Sequence, residues 1–167
     1  ALVEIAHKNS ERLILLVNDI LDMEKIASGK MNFNLQSVEL VPLIEQALEA
    51  NRAYAEQFKV SYVLDHAKNI PPVQIDVDRF MQVLANFLSN AAKFSPAGGV
   101  VTVAVLAYNQ HVRVSVSDRG QGIPAEFRSK IFQKFSQADS SDTRSKGGTG
   151  LGLSITKSLV EGMGGKI

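Results

Sequence analysis

The sequence predicts a two-layer α/β sandwich, in which helices cover one face of a mixed sheet, preceded by one long bundle helix. Three observations predict this fold class. Residues 1–28 carry a heptad-like apolar repeat, and residues 76–94 form a second amphipathic helix. Two β-rich runs follow that second helix and are separated by a short turn.

The first predicted element is a helix over residues 1–28, which Gly29 ends. Its apolar residues recur in steps of three and four from Leu2 to Ala27, and other apolar residues widen the stripe between them. A single helix with so wide an apolar face must pack on partner helices. The sequence therefore predicts that this helix belongs to a bundle.

Short strands and helices alternate in the residues that follow. We expect a strand within 31–40, a helix over 42–57 with Pro42 in its first turn, and a strand over 60–64. The two prolines within residues 69–74 indicate a connection without regular structure.

The helix over 76–94 has the clearest pattern in the chain. Asp76 is placed to cap its N-terminus. Apolar residues at helical spacing form one stripe, which we expect to be buried. The stripe consists of Phe80, Val83, Leu84, Phe87, Leu88 and Ala91.

The last third of the chain begins with a predicted hairpin. Its strands are residues 100–108 and 112–118, joined by the turn 109–111. A final helix is expected over 151–162, and residues 164–167 have the pattern of the start of another strand.

The composition excludes several classes of function. Lys and Arg number 18 against 17 Asp and Glu, and the net charge of +1 gives no electrostatic basis for binding nucleic acid or an anionic membrane. The chain has no cysteine, which excludes disulfides and thiolate chemistry, and its three histidines lie far apart. The longest apolar run, residues 103–108, is far shorter than the roughly 20 residues of a membrane helix.

Three polar residues on the helix over 76–94 form the first candidate motif. Asn86, Asn90 and Lys93 are spaced by four and three residues, so they share one stripe opposite the apolar one. Asparagine is only a moderate helix former, so two in register require a reason outside local structure. Taken alone, the stripe is explained most simply as a solvated polar face.

A second motif follows the predicted hairpin. Asp118 ends the second β-run, and Gly120 and Gly122 come directly after it. A carboxylate in this position can accept a hydrogen bond from an amino group, and the glycines let a flat ring approach the backbone. A tight turn capped by the aspartate explains the same residues equally well.

A third motif lies at the start of the final helix. Gly148, Gly150 and Gly152 leave backbone N–H groups unobstructed at a helix N-terminus, which is an arrangement that binds anions. Neither the P-loop pattern G-x-x-x-x-G-K-[ST] nor a surrounding parallel βαβ unit is present. The alternative is a flexible loop, but the glycines continue into the helix itself.

These motifs, in this order, resemble the ATP-binding domain shared by sensor histidine kinases, DNA gyrase and the MutL proteins. "NFLSNAAKF" resembles the asparagine box of that family, "DRGQGIP" the first glycine box, "FQKFSQADSS" the phenylalanine box and "GGTGLGLSI" the second glycine box. The resemblance covers about residues 31–167. "LILLVNDILDMEKIASGK" resembles the second helix of the histidine kinase dimerisation hairpin, and the stretch from the phenylalanine box onward is similar to hybrid sensor kinases.

The resemblance implies two domains and a site. Residues 1–29 would be the second helix of the dimerisation hairpin, without the first helix, and residues 30–167 the ATP-binding domain, with its C-terminal strands missing. Asp118 would accept from the adenine amino group, and Asn90 would bind Mg²⁺ directly. The implied ATP-contacting residues are Asn86, Asn90, Lys93, Asp118, Gly120, Gly122, Ile123, Lys146, Gly148, Thr149, Gly150, Leu151 and Gly152.

Further roles follow from the same resemblance. Asn86 would support the phosphates and the metal, Lys93 would pair with phosphate oxygens, and the glycines of the second box would hold the triphosphate under a lid over 136–149. Phe132 and Phe135 would anchor the base of the lid. Lys146 is explained equally well as a phosphate ligand or as a solvated charge on the lid.

The residue at position 86 separates the branches of this family. In the gyrase and MutL branches a glutamate prepares water for attack, whereas an asparagine cannot act as a base. The γ-phosphoryl group is therefore expected to pass to a histidine, but the motif S-H-[ED]-x-R-x-P of the phosphoacceptor is absent. His7 is followed by Lys8 and is interpreted as a surface histidine.

We therefore expect the ATP-binding catalytic portion of a two-component sensor histidine kinase, which uses ATP and Mg²⁺ and transfers phosphate to a histidine outside this chain. The expected partners are a second copy, through the first helix, and a response regulator or receiver domain. The expected location is the cytoplasm, without nucleic-acid or direct membrane contact. One alternative is a nucleotide-dependent dimerisation or sensing module without phosphoryl transfer. The other is a gyrase-like ATPase, which the asparagine at position 86 disfavours.

Overall fold

The long helices and the hairpin follow one another along the chain in the predicted order. The structure is a computed structural model, and it describes residues 2–136 and 149–167. The helices and strands are α1 (Leu2–Ala27), β1 (Gln36–Val38), α2 (Leu40–Ala50), α3 (Arg52–Gln57), β2 (Ser61–His66), β3 (Val73–Ile75), α4 (Val77–Phe94), β4 (Val100–Tyr108), β5 (His111–Ser117), a 3₁₀-helix (Ala125–Lys130) and α5 (Gly152–Gly162).

The main sheet is mixed, as predicted, with the strand order β2-β4-β5. β2 runs parallel to β4, with Ser61 opposite Val100, and β4 runs antiparallel to β5, with Thr102 opposite Ser117. A parallel pair needs a long crossover connection, and α4 lies within the crossover from β2 to β4. The connectivity therefore places α4 against the sheet.

The core lies between α2, α4 and the central strand β4. Leu84 and Leu88 of α4 pack with Val103 and Val105 of β4 in one buried cluster, which Ile44 of α2 completes. This arrangement confirms the predicted two-layer sandwich. It also confirms the apolar stripe of α4, whose other members are buried or half-buried.

Asp76 caps α4 as the sequence predicts. Its Oδ1 accepts from the backbone N–H of Arg79 at 3.1 Å, and its Oδ2 accepts from the backbone N–H of Asn34 at 2.8 Å. Burial alone would raise the pKa of this carboxyl, but the two hydrogen bonds and the charge of Arg79 lower it below its usual value. The cap therefore joins the start of α4 to the segment before β1.

Four local predictions are wrong or incomplete. Residues 69–74 are not wholly a connection, because β3 begins at Val73 and pairs with β1 in a separate two-stranded sheet. Three residues are too few for an alternating pattern to be detected. The strand expected within 31–40 is likewise limited to 36–38.

The helix expected over 42–57 is divided into α2 and α3 at Asn51. The Asn51 side chain donates its Nδ2 to the carbonyl of Ala47 at 2.8 Å, which is the kind of local bond that competes with helix continuation. Residues 164–167, which were expected to start another strand, form none, and no strand in residues 2–136 and 149–167 pairs with them.

α1 confirms the predicted first helix, and Gly29 follows it with a φ of 65°. Much of its apolar face is exposed, with Val3 at 82% and five further residues at about half exposure or more: Leu13, Ile14, Val17, Ile20 and Leu21. His7 is exposed, as predicted. None of the helices in the described ranges is long and apolar enough to cross a membrane.

Candidate nucleotide-binding site

The candidate site is built on α4, and its first component is the packing of α5 against this helix. Val83 of α4 is buried in one cluster with Leu151, Ile155 and Leu159. This packing brings the N-terminal turns of α5 next to Asn86. The asparagine therefore faces a second helix rather than open solvent.

Two asparagines of α4 and one threonine of α5 form a hydrogen-bonded chain. Asn86 donates its Nδ2 to Thr156 Oγ1 at 2.6 Å, and Asn90 donates its Nδ2 to Asn86 Oδ1 at 3.3 Å. Both asparagines are half-buried, whereas Thr156 is 1% exposed. The interpretation of this stripe as a merely solvated face is therefore wrong for Asn86. Lys93 is also half-buried, with its Nζ 4.9 Å from the centre of the Phe94 ring.

The surroundings of Gly152 explain why a glycine stands at the start of α5. A Cβ at this position would lie 2.5 Å from Asn86 Oδ1 and 3.0 Å from Asn86 Nδ2. Only a glycine lets α5 approach the asparagine this closely. The sequence predicts that the glycines here leave backbone N–H groups open for anion binding. The close contact with α4 is a second reason for a glycine at position 152.

The first glycine segment, residues 118–124, follows β5 and packs at the other end of the polar stripe. A Cβ on Gly120 would lie 2.6 Å from the carbonyl oxygen of Phe94, the last residue of α4. Gly122 has a φ of 75°, and a Cβ at this position would meet no described atom within 4 Å. A glycine is therefore favoured here by the backbone conformation and not by a lack of space. Both glycine segments therefore approach α4 closely.

Asp118 comes directly after β5, as predicted. Its Oδ1 accepts from the backbone N–H of Gly120 at 2.7 Å, so the turn capped by aspartate is present. The side chain is exposed, and Oδ2 has no hydrogen bond to any described residue. Both interpretations of this motif therefore fit, because one oxygen holds the turn and the other remains to accept from a ligand. Ile123 in the same segment is also exposed.

The second glycine segment, residues 149–152, connects α5 with α1. Thr149 donates its Oγ1 to Asp19 Oδ2 at 3.2 Å, and the same oxygen accepts from the backbone N–H of Leu151 at 3.1 Å. The Leu151 side chain is fully buried in the core. Its predicted contact with ATP therefore does not involve its side chain. Gly150 has a φ of 70° and lies against the backbone of Phe135.

Burial raises the pKa of Asp19, the hydrogen bond from Thr149 opposes this effect, and the negative charge of Asp22 adds to it.

The predicted site residues Lys146 and Gly148 and most of the lid lie outside the described residues. Of the two aromatic residues assigned to the lid base, Phe132 is half-buried near Lys157. The side chain of Phe135 is 70% exposed.

The donor groups fit a metal that takes few protein ligands. No group of three or more His, Cys, Asp or Glu residues is placed to hold a metal within residues 2–136 and 149–167. Mg²⁺ is usually bound by one or two protein oxygens together with phosphates and water. Because Asn90 uses its Nδ2 to reach Asn86, its Oδ1 remains as an oxygen ligand.

Sequence reasoning missed two residues that contact the predicted site. Thr156 follows Gly152 by four residues, and this spacing places both on one face of α5. That spacing was a usable signal. The contact of Asp19 with Thr149 depends on how α1 packs, which no local pattern encodes.

Comparison with known proteins identifies the domain. Residues 75–167 match the family described as histidine kinase-, DNA gyrase B-, and HSP90-like ATPase. The chain is 38% identical to the circadian input-output histidine kinase CikA of Synechococcus elongatus, over 99% of this chain and 22% of that protein. It is 36% identical to the sensor histidine kinase WalK of Bacillus subtilis, over 98% of this chain and 27% of that protein.

A solved structure agrees with these relatives. The crystal structure of full-length ShkA in complex with AMPPNP matches with a TM-score of 0.82 and 31% identity, over 94% of this chain and 32% of that chain. The chain spans 22% and 27% of the two curated relatives, so it corresponds to one part of such proteins. It belongs to the histidine kinase-, DNA gyrase B- and HSP90-like ATPase family, and over nearly its whole length it is similar to one part of sensor histidine kinases.

Proposed function

We propose that this chain binds Mg·ATP along the polar side of α4 and presents the γ-phosphoryl group to a histidine that lies outside residues 1–167. The observation that carries the proposal is the hydrogen-bonded pair Asn86 and Asn90, held between two glycine segments that approach α4 closely. The family match and the AMPPNP complex of ShkA support nucleotide binding at the corresponding domain.

The two glycine segments supply different parts of the site. Asp118 Oδ2 accepts from the exocyclic amino group of adenine, while Oδ1 keeps the turn closed through Gly120. The second glycine segment lies at the N-terminus of α5, where backbone dipoles favour negative charge, and receives the phosphates. Asn90 Oδ1 would hold Mg²⁺, and the ion would supply positive charge that neutralises the phosphates.

Phosphoryl transfer fits this site better than hydrolysis. Asn86 donates one amide hydrogen to Thr156 and has no basic group with which to activate water. The contribution of the chain is therefore to position the nucleotide and to balance its charge. In the transfer, the γ-phosphoryl group leaves the β-phosphate oxygen of ATP and bonds to an imidazole nitrogen.

The proposal extends to partners and location. The exposed apolar face of α1 fits packing against helices of a second copy, so residues 1–29 are assigned to a dimerising hairpin and residues 30–167 to the ATP-binding domain. A response regulator or receiver domain then accepts the phosphate. Dependence on ATP places this part of the protein in the cytoplasm.

Calorimetry tests nucleotide binding directly. We expect the chain to bind AMPPNP more tightly with Mg²⁺ than with EDTA, and Asp118→Ala to weaken binding in both conditions because adenine loses its acceptor. A longer form of the protein with the upstream helix, incubated with γ-labelled ATP, should form an acid-labile phosphohistidine. Steady release of phosphate without this product would instead support a hydrolase.

A dimerisation or sensing module without phosphoryl transfer is the second candidate. The contact between Asp19 of α1 and Thr149 of the second glycine segment favours it, because it links the bundle helix to the site. Sedimentation with and without Mg·AMPPNP distinguishes the two. A change in association without phosphohistidine in the longer protein would favour the module.

A further inference from the structure

We propose that Asp19, a residue of the bundle helix α1, lowers the affinity of the site for nucleotide by placing a carboxylate beside the second glycine segment. The inference rests on the proposed function, because it concerns the phosphate-binding end of that site. It assigns to α1 a direct effect on nucleotide affinity in addition to its role in packing.

The contact reaches the start of α5 through one hydroxyl. Asp19 Oδ2 accepts from Thr149 Oγ1 at 3.2 Å, and Thr149 Oγ1 accepts from the backbone N–H of Leu151 at 3.1 Å. Leu151 is the residue immediately before α5. The carboxylate therefore lies near the helix terminus where the phosphates are proposed to bind, and two anions compete for the same positive end of the dipole.

A separate cluster holds this turn of α1 in place. Asp22, which is 8% exposed, accepts from Arg79 Nη1 at 3.2 Å through both carboxylate oxygens and from Gln82 Nε2 at 2.8 Å. Met23 packs on the buried cluster that contains Leu151. The position of Asp19 is therefore fixed by interactions other than its own hydrogen bond.

The two carboxylates differ in how their charge is balanced. Asp22 has the guanidinium of Arg79 as its partner. Asp19 has the neutral hydroxyl of Thr149, and no cationic side chain among those that the structure describes forms an ion pair with it. A half-buried negative charge that has no cationic partner among the described side chains, next to the phosphate-binding segment, repels a triphosphate, and solvent and salt weaken the repulsion only in part.

Replacement of Asp19 by asparagine removes the charge and retains an oxygen that can accept from Thr149. We expect Asp19→Asn to bind AMPPNP roughly fivefold more tightly than the unchanged chain at low salt, in EDTA and in Mg²⁺. The difference should shrink as ionic strength rises, because salt screens charges that are partly exposed. A purely structural role for Asp19 would not produce this dependence on salt.

Glu24→Gln is the matched control, because it makes the same change of charge at an exposed position of α1. Its affinity should stay within about twofold of the unchanged chain. Unchanged or weaker binding by Asp19→Asn would overturn the inference, and weakening confined to Mg²⁺ would show that Asp19 supports the metal. If the unchanged chain itself bound no AMPPNP, the proposed function would fail together with this inference.

Amide hydrogen exchange of the unchanged chain provides a test without mutation. Coupling is reciprocal, so a nucleotide that competes with Asp19 must also weaken the docking of α1. We expect AMPPNP to speed exchange at the C-terminal turns of α1. Slower exchange there would contradict the inference, whatever the variants show.

Discussion

The two glycine segments contact different kinds of atom on α4. Gly120 lies against the backbone carbonyl of Phe94, whereas Gly152 lies against the side-chain amide of Asn86. Backbone cannot move without disturbing the helix, but a side chain can rotate away. The same residue type therefore protects the fold at Gly120 and the geometry of the site at Gly152.

Gly120→Ala should destabilise the fold more than Gly122→Ala or Gly152→Ala. The added Cβ would meet the Phe94 carbonyl at 2.6 Å, and we expect unfolding free energy to fall by up to about 3 kcal/mol. Gly122→Ala is the control, because it is strained by its positive φ alone and should cost about 1 kcal/mol. Denaturant titration measures both, and equal losses would show that the carbonyl contact is unimportant.

Asp76→Ala tests the opposite end of α4. We expect it to lower the free energy of unfolding by about 2 kcal/mol, because the variant leaves the N–H groups of Arg79 and Asn34 without their acceptor. The lowered pKa of Asp76 gives the pH dependence its sign. The charged form stabilises the fold above the usual pKa of the group, and this contribution is lost as pH falls through the lower pKa of the folded state.

The stability difference between the unchanged chain and Asp76→Ala should therefore shrink as the pH is lowered below about 4. Thermal unfolding across a pH series measures it. A difference that grew on acidification would contradict the assigned hydrogen bonds.

Gly152→Ala should affect binding more than folding. The new Cβ displaces the Asn86 amide and with it the bond from Asn90, so we expect roughly a tenfold loss in the contribution of Mg²⁺ to AMPPNP affinity. Unfolding free energy should change by less than about 1 kcal/mol. A large loss of stability with intact binding would reverse the comparison between the glycine segments.

Thr156→Val should destabilise the fold less than Gly120→Ala or Asp76→Ala. It keeps the volume of the buried side chain but removes the acceptor of Asn86 Nδ2, at a cost of about 1 kcal/mol in stability. Ser158→Ala, which removes a hydroxyl from the same helix away from the asparagines, should cost less. Denaturant titration of both variants shows whether the Asn86 contact accounts for the difference.

Periodicity was sufficient to predict the long helices, the hairpin and the cap at Asp76, because these depend on neighbours in sequence. It failed at β3, which has three residues, and at Asn51, whose side chain competes for a carbonyl within a helical pattern. Spacing placed the candidate residues of α4 on one stripe, and the resemblance to the ATP-binding family implied their role in a site. Their contacts with Thr156 and Gly152 depend on the packing of α4 against α5, and the spacing of Gly152 and Thr156 indicates only that these two residues share one face of α5.

Chemical-shift mapping of the chain with Mg·AMPPNP tests the placement of the site along α4 most directly. We expect large changes at the side-chain amides of Asn86 and Asn90 and at the backbone amides of Gly120 and Gly152. Nucleotide binding that left these four signals unchanged, and moved signals elsewhere instead, would contradict that placement.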